Sequence, residues 1–299
     1  MWLSVSDLIG GLPQIYFKNL NSYFIFSFEL TQPMSLIHPT AIVHPKADVD
    51  RSVKIGPYTV VDEHVKISGG CNIGPHCHIT GETTLGADNI IHAGCVLGDA
   101  PQDLTHTGAL TRLVIGKGNS FREHVTVHRG SKEGTATEIG NGNYFMAHCH
   151  IAHNCCIGSH TIVVNGVLLG GHVEVEDRAF LGGGAVVHQF CRVGTLAILR
   201  GLARISKDVP PYCMAVENNE LVGLNAVGLK RAGFSVPQRS RLKEAYTLLF
   251  LSGRNISQAI SDLEKHEMTS EIHHLVRFIH HSKRGICTAR KKPTDLGEE

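Results

Sequence analysis

The stretch Ile139–Leu169 reads "IGNGNYFMAHCHIAHNCCIGSHTIVVNGVLL", and a large apolar residue occupies every sixth position of it. A period of six matches neither the 3.6-residue turn of an α-helix nor the two-residue alternation of a plain strand. It fits short, flat strands joined by tight turns, each pointing its in-phase side chain inward. The stretch therefore predicts a parallel β-helix, in which three six-residue units form one triangular coil and the coils stack.

The same phase extends along most of the chain, from Ile37 to Ile205. Two polar, turn-rich stretches, residues 98–114 and 128–138, interrupt the repeat without changing its phase. We expect both to be loops that leave the prism and return to it. Long loops on a rigid scaffold commonly carry binding groups.

The repeat defines four segments of the chain. Residues 34–212 form the β-helix domain, which Pro210 and Pro211 end. Residues 213–287 predict a small α-helical C-terminal domain, because apolar residues recur there at helical spacing and Ser235 with Pro237 is a typical helix start. We predict a disordered tail over residues 288–299. Residues 1–33 are an extension outside the repeat, with Met34 as an alternative start of the protein.

Charge and composition exclude several classes of protein. A net charge of +1 gives no field that would favour nucleic acid or an anionic membrane. The aromatic-rich residues 1–33 are too interrupted to span a bilayer and lack a signal-peptide pattern, so we expect no stable membrane insertion. Nine cysteines without a secretory signal indicate reduced thiols and a cytoplasmic protein.

The cysteines in "AHCHIAHNCCIG" (Ala147–Gly158) do not need a metal to explain them. Six cysteines of the chain stand four places after an in-phase residue, a second inward position that needs a small side chain. They are Cys71, Cys77, Cys95, Cys149, Cys155 and Cys191.

The histidines of the same region follow a different rule. His150, His153, His172 and His188 fall at or near the turns, where side chains point outward. His153 and His172 are one coil plus one residue apart, so we expect them on adjacent coils along one edge. A γ-carbonic-anhydrase-like zinc enzyme and a scaffold without activity both remain open from these residues alone.

A set of motifs in one order resembles a known family: "GDAPQDL", "NSFREHVTVHRGS", "AHCHIAHNCCIG", "LLGGHVEVED", "AVVHQFCRVG", "SKDVPPY" and "VGLKRAGF". They are similar to the UDP-N-acetylglucosamine O-acyltransferases that begin lipid A biosynthesis. The resemblance implies a left-handed β-helix, a cytoplasmic homotrimer, and neither metal nor cofactor. It also implies transfer of a 3-hydroxyacyl group from acyl carrier protein to the 3-hydroxyl of UDP-N-acetylglucosamine.

The resemblance also assigns roles to individual residues. His153 would be the general base, since an imidazole can take a proton at neutral pH, and the Gly171 N–H would stabilise the oxyanion. Gly201 matches a position that limits acyl-chain length. The residues that would bind substrate are Gln102, Asp103, His150, His172, His188, Gln189, Asn225 and Arg231.

The chain departs from the family pattern at two positions. Asn154 stands where many relatives have aspartate, and an amide can orient the base but cannot stabilise the imidazolium by charge. Thr105 stands where some relatives have lysine. An N-acyltransferase acting on a related amino-sugar nucleotide is the alternative activity.

Overall fold

The computed structural model describes the backbone of residues 15–19 and 22–26, and both backbone and side chains of residues 36–266 and 268–289. The chain divides into two units, Met1–Ser35 and Leu36–Glu299. In the first unit, strands Ile15–Asn19 and Ser22–Phe26 pair antiparallel. The rest of the predicted 1–33 extension lies outside the described residues.

The second unit is built on a triangular prism whose three faces are parallel sheets. Face 1 has nine strands: Ile42–Val43, Val60–Val61, His78–Ile79, Val96–Asp99, Thr126–His128, His150–Ile151, Leu168–Leu169, Val186–Val187 and Arg204–Ile205. Face 2 has eight: Asp48–Val49, Lys66–Ile67, Glu82–Leu85, Arg112–Ile115, Ala136–Ile139, Cys156–Ile157, Glu174–Val175 and Arg192–Val193. Face 3 begins with Lys54–Ile55, Asn72–Ile73, Ile90–Ile91, Ser120–Phe121, Tyr144–Phe145, Ile162–Val163, Phe180–Leu181 and Ile198–Leu199.

The prism follows from the six-residue repeat. Apart from Ile37, Val43 and Val49 in the first coil, every in-phase residue is buried and at most 3% exposed. Residues one coil apart pair in register, as Tyr144 does with Ile162. The six inward cysteines are buried as predicted. The left-handed β-helix expected from the sequence is confirmed.

Both loops are shorter than the sequence predicted. Strands Val96–Asp99 and Arg112–Ile115 bound the first loop, which comprises residues 100–111 rather than 98–114. Strands Thr126–His128 and Ala136–Ile139 bound the second, residues 129–135 rather than 128–138. The strands are longer than the repeat requires because Leu113 and Thr137, which pair with each other, are also buried inside the prism.

The prediction that the chain is helical from residue 213 is wrong for its first part. Strands Cys213–Val216 and Glu220–Leu224 extend face 3 before the first helix, and Cys213, Ala215 and Leu221 are buried in the prism core. Thr288–Ala289, predicted to open a disordered tail, instead pairs with Glu220–Leu224. Residues 290–299 of that predicted tail lie outside the described residues.

The helices follow these strands: α1 is Ala226–Arg231, α2 is Val236–Tyr246, α3 is Ile256–Leu263 and α4 is Ser270–His280, with a π-helical turn at Thr247–Leu251 after α2. Ser235, where the sequence predicted a helix start, is the N-cap of α2 and forms a capping box with Gln238.

Helix α4 is joined to the prism by polar and aromatic contacts. The Arg192 guanidinium donates to the Phe278 carbonyl at 3.2 Å and lies 4.1 Å from the centre of the Phe278 ring. Among the described helices, none has the length and apolar character needed to cross a bilayer.

Candidate active site

Eight of the eleven predicted site residues gather on or beside the edge between faces 1 and 2, called the site edge below. His153, Gly171 and Gln189 occupy equivalent positions on successive coils of this edge. Backbone bonds join the turns, from His172 N–H to the His153 carbonyl (2.9 Å) and from Phe190 N–H to the Gly171 carbonyl (3.0 Å). The adjacency of His153 and His172 predicted from their spacing is confirmed.

Both loops also leave the prism at the site edge, because each connects a face 1 strand to a face 2 strand. They therefore lie on the same edge as His153, one or more coils before it. The fold thus brings segments together at this edge that are up to 90 residues apart in sequence, as Asp99 and Gln189 are.

Hydrogen bonds fix the position of the proton on His153. Its Nδ1 lies 2.9 Å from Asn154 Oδ1. The same oxygen accepts from the Ser131 backbone N–H at 3.0 Å and from the Ser131 hydroxyl at 2.9 Å. A backbone N–H can only donate, so the Asn154 atom that faces it is the oxygen. That oxygen can only accept, so His153 Nδ1 carries the hydrogen and Nε2 keeps its lone pair.

Gly171 leaves the space that the His153 ring occupies. A Cβ at residue 171 would lie 2.6 Å from His153 Cε1 and 2.7 Å from Nε2, closer than real Cβ contacts. The Gly171 N–H donates no hydrogen bond to any described residue. A basic nitrogen and a free backbone donor thus lie beside each other at this edge.

The imidazoles around His153 are kept neutral. Burial, together with the neighbouring His128 and His153, lowers the pKa of His150 to about 4. Its Nδ1 lies 2.8 Å from the Thr126 hydroxyl. Burial also lowers the pKa of His172, with a further contribution from His153. A neutral imidazole at His150 or His172 can line a cleft without repelling a protonated His153.

His172 is held by its aromatic neighbours. Its ring stacks on Phe190 with centroids 4.7 Å apart, and it meets the His153 ring edge-on at 5.3 Å. These contacts hold the His172 ring beside His153 on the side that faces the next coil.

Sequence reasoning missed His128 and Ser131. His128 is buried, meets the His150 ring edge-on at 4.8 Å, and has its pKa lowered by burial. His128 directly follows the in-phase residue Val127, just as His188 directly follows the in-phase residue Val187. The repeat could therefore have identified His128. Ser131 is also buried, but no sequence pattern distinguishes it from other loop serines.

Asp103 lies in the first loop with its carboxylate already hydrogen-bonded. The Thr105 backbone N–H and hydroxyl donate to Asp103 Oδ1 at 2.9 and 2.7 Å and lower the pKa of that carboxyl. The charge of His153 contributes to the same shift, so the two groups are within electrostatic reach. Gln102 beside it is exposed. Thr105 therefore orients the Asp103 carboxylate.

His188 and Gln189 lie on the site edge and are exposed. Arg284, which follows α4, approaches His188, with Nη2 3.3 Å from Nδ1. The region after the helices thus reaches the same edge as His153.

Asn225, Arg231 and Gly201 lie elsewhere in the chain. Asn225 is buried and caps α1: Oδ1 accepts from Gly228 N–H, and Nδ2 donates to the carbonyl of Leu196, which lies on the edge between faces 2 and 3. Arg231 is exposed in the last turn of α1. Gly201 is exposed on the edge between faces 3 and 1. One chain does not bring these three residues to His153.

No three side chains of histidine, cysteine, aspartate or glutamate are grouped to hold a metal ion within residues 36–266 and 268–289. The zinc-enzyme alternative therefore has no ligand set within the described part of one chain.

Six-residue repeats, a left-handed prism and an oriented imidazole beside a glycine define the class of hexapeptide-repeat acyltransferases. The model of the bacterial transferase hexapeptide (six repeats) family matches residues 136–171. The model described as UDP N-acetylglucosamine O-acyltransferase, domain 2, matches residues 208–287.

Known proteins extend this match over most of the chain. An acyl-[acyl-carrier-protein]–UDP-N-acetylglucosamine O-acyltransferase of Myxococcus xanthus is 46% identical over 259 residues, 85% of this chain and 99% of the relative. The Neisseria meningitidis FAM18 protein of the same name is 47% identical over 256 residues, 85% of this chain and 99% of the relative.

Solved structures agree. The UDP-N-acetylglucosamine acyltransferase of Campylobacter jejuni has a TM-score of 0.80 at 33% identity, over 85% of this chain and all of that one. The Arabidopsis enzyme has a TM-score of 0.75 at 35% identity, over 84% of this chain and all of that one. The chain belongs to the UDP-N-acetylglucosamine O-acyltransferase family, which confirms the resemblance seen in its motifs.

Proposed function

We propose that the protein transfers a 3-hydroxyacyl group from acyl carrier protein to the 3-hydroxyl of UDP-N-acetylglucosamine, the reaction that opens lipid A biosynthesis. The names of its relatives support the two substrates. The observation that carries the proposal is the His153 ring, whose proton is fixed on Nδ1 and whose Nε2 faces the space left by Gly171.

The reaction begins with a proton transfer. His153 Nε2 takes the proton of the sugar 3-hydroxyl as the oxygen attacks the thioester carbonyl. The resulting oxyanion is stabilised by the Gly171 N–H. When the intermediate collapses, the C–S bond breaks and the carrier thiolate receives the proton from Nε2. The products are the 3-O-acyl sugar nucleotide and the free carrier thiol.

The remaining residues of the site edge bind and orient the substrates. Asp103 and Gln102 contact the sugar from the first loop, and the neutral His150 and His172 line the cleft around it. His188 and Gln189 lie near the acyl donor. Arg231 binds the diphosphate by charge-assisted hydrogen bonds, and Asn225 holds the start of the helix that carries it.

The protein acts in the cytoplasm as a homotrimer. Asn225, Arg231 and Gly201 can join His153 in one site only if neighbouring subunits supply them. The outward side chains support such an assembly. Ile162, Phe180, Leu168 and Val186 on faces 1 and 3 are 37–44% exposed, whereas face 2 carries the charged residues Glu138, Glu174 and Arg192.

Product analysis tests the proposed activity. Purified protein is incubated with 3-hydroxyacyl carrier proteins of several chain lengths and an equimolar mixture of UDP-N-acetylglucosamine and its 3-amino analogue. We expect mass spectrometry to detect the ester product, with the preferred chain length reporting on Gly201. Amide product alone would establish the N-acyltransferase instead, and no acyl transfer to either sugar nucleotide would overturn the proposal.

A further inference from the structure

Asn154 creates an orientation problem that an aspartate would not have. A carboxylate accepts hydrogen bonds at both oxygens, but an amide accepts at Oδ1 and donates from Nδ2. If the Asn154 amide turned over, Nδ2 would face His153 Nδ1 and donate to it. The ring proton would then be on Nε2, and the lone pair that takes the substrate proton would be lost.

Ser131 supplies the contact that distinguishes the two orientations. Its backbone N–H points at Asn154 Oδ1 from 3.0 Å, and its hydroxyl donates to the same oxygen at 2.9 Å. A turned amide would place its own N–H groups against the Ser131 N–H. Ser131 is only 6% exposed, so water has little access to accept hydrogen bonds from the two N–H groups that would then face each other.

Both partners of this contact are themselves held. The Ser131 carbonyl lies 2.9 Å from His106 Nδ1 on the first loop, and a carbonyl only accepts, so Nδ1 carries the hydrogen. Asn154 is fixed by its backbone N–H, which donates to Thr137 Oγ1 at 2.8 Å. The two loops of the site edge therefore meet at Ser131.

We infer that Ser131 is a positioning residue that selects the catalytic tautomer of His153, and that it is needed because residue 154 is asparagine. The inference rests on the proposed role of His153 as the base. His106 acts in the same direction by fixing Ser131. With a carboxylate at residue 154, either orientation accepts from His153 Nδ1, and the requirement for Ser131 disappears.

A double-mutant cycle tests the inference. Ser131→Pro, which removes both the backbone N–H and the hydroxyl, and Ser131→Ala, which removes only the hydroxyl, are each made in the natural protein and in Asn154→Asp, and kcat is measured at saturating substrates. We expect Ser131→Pro to lower kcat about 5- to 20-fold in the natural background and less than 2-fold in the Asn154→Asp background, and Ser131→Ala to have a smaller effect because it keeps the backbone N–H. If Ser131 had only a structural role, kcat would fall by the same factor in both backgrounds. That result would overturn the inference, and so would an unchanged kcat in the natural background.

A second variant and a second readout keep the test decisive. His106→Ala weakens the same contact from the other loop and should show the same dependence on residue 154 in kcat, whatever its effect on KM. ¹⁵N chemical shifts of the His153 ring should show an Nε2 lone pair in the natural protein and partial Nε2 protonation of the neutral ring in Ser131→Pro. Unchanged shifts would contradict the assignment.

Ser52 provides a matched control. Its backbone N–H and hydroxyl also donate to one side-chain oxygen, Asp50 Oδ1, at 2.8 and 2.6 Å, but on an early coil of the prism. Ser52→Ala should leave kcat unchanged in both backgrounds. Full activity of His153→Ala would refute the proposed function itself, whereas an inactive His153→Ala with an additive cycle would refute only the role of Ser131.

Discussion

His153 owes its chemistry to neighbours that are mostly uncharged. Asn154 orients the ring, Gly171 leaves room for it, and His150 and His172 stay neutral beside it. Without a carboxylate against Nδ1, a protonated His153 is stabilised by charge less than it would be beside an aspartate. The site therefore relies on orientation more than on local charge.

Gly171→Ala should abolish most of the activity while leaving the protein folded. The new methyl carbon would lie 2.6 Å from His153 Cε1 and 2.7 Å from Nε2, so the ring must move. A displacement of about 1 Å can cost about 100-fold in rate. Steady-state kinetics should show kcat reduced by about that factor. Gly183→Ala is the control, because a Cβ there meets ordinary contacts at 3.4 Å. Equal activity of both variants would remove Gly171 from the site.

His150 should make the stability of the protein depend on pH. Its pKa is about 4 in the folded protein and about 6.5 in an unfolded chain, so the unfolded state binds more protons between those values. The free energy of unfolding should therefore fall as the pH drops from about 6.5 to about 4. In denaturant unfolding, the free energy of unfolding of His150→Gln should change by about 2–3 kcal/mol less over this pH range than that of the natural protein. Parallel pH curves for the two proteins would contradict the burial of His150.

At the scale of elements, each coil contributes one inward layer of side chains to the prism. Ile115 and Val114 are neighbours on one face 2 strand, but Ile115 is 1% exposed and Val114 is 37% exposed. Ile115→Ala should lower the free energy of unfolding by about 2–5 kcal/mol, because it leaves a cavity between coils. Val114→Ala should change it by less than about 0.5 kcal/mol. Similar losses in denaturant titrations would show that the two residues do not face opposite sides.

The elements that follow the six-residue period could be predicted from sequence, and the others could not. The repeat directly predicts the burial of in-phase residues such as Ile151 and Leu169, because one face of each strand must point inward. The strands Cys213–Val216 and Glu220–Leu224 break that period, since they continue face 3 as an antiparallel pair. They pair with each other as a hairpin, and the first also pairs with Ile198–Leu199, in a register that the six-residue period does not give.

Site residues that lie in the turns of the repeat could be predicted from their spacing. The contacts of site residues in the two loops could not. His153 and His172 lie at fixed places in the repeat, so their spacing gives their adjacency. The contact between Ser131 and Asn154 depends on the path of a loop with no periodicity. The family motifs located Asp103, but the role of Thr105 in holding its carboxylate required the structure.

At the scale of the whole molecule, the three edges of the prism carry different residues. The site edge carries His153, and the residues assigned to the nucleotide and the acyl chain lie near the other two edges. A threefold assembly would bring the three kinds of edge together in each cleft. The apolar outward residues of faces 1 and 3 are the expected contact surfaces.

Phe180→Glu should disrupt this assembly. Light scattering on the natural protein should give three times the 32.5 kDa chain mass, and the variant should give a smaller species with little activity. Val114→Glu is the control, because Val114 is equally exposed at 37% but lies on face 2, and it should remain trimeric. A natural protein that is monomeric and active would contradict the proposed assembly.

The most direct test of the account is acyl transfer by His153→Ala, with His160→Ala as its control. His160 is exposed on the edge between faces 2 and 3, which is not the site edge. We predict that His153→Ala loses about 10²–10⁴-fold in the rate of 3-O-acylation of UDP-N-acetylglucosamine, with unchanged thermal unfolding, and that His160→Ala keeps the natural rate. A His153→Ala protein that acylates the sugar nucleotide at the natural rate would contradict the account.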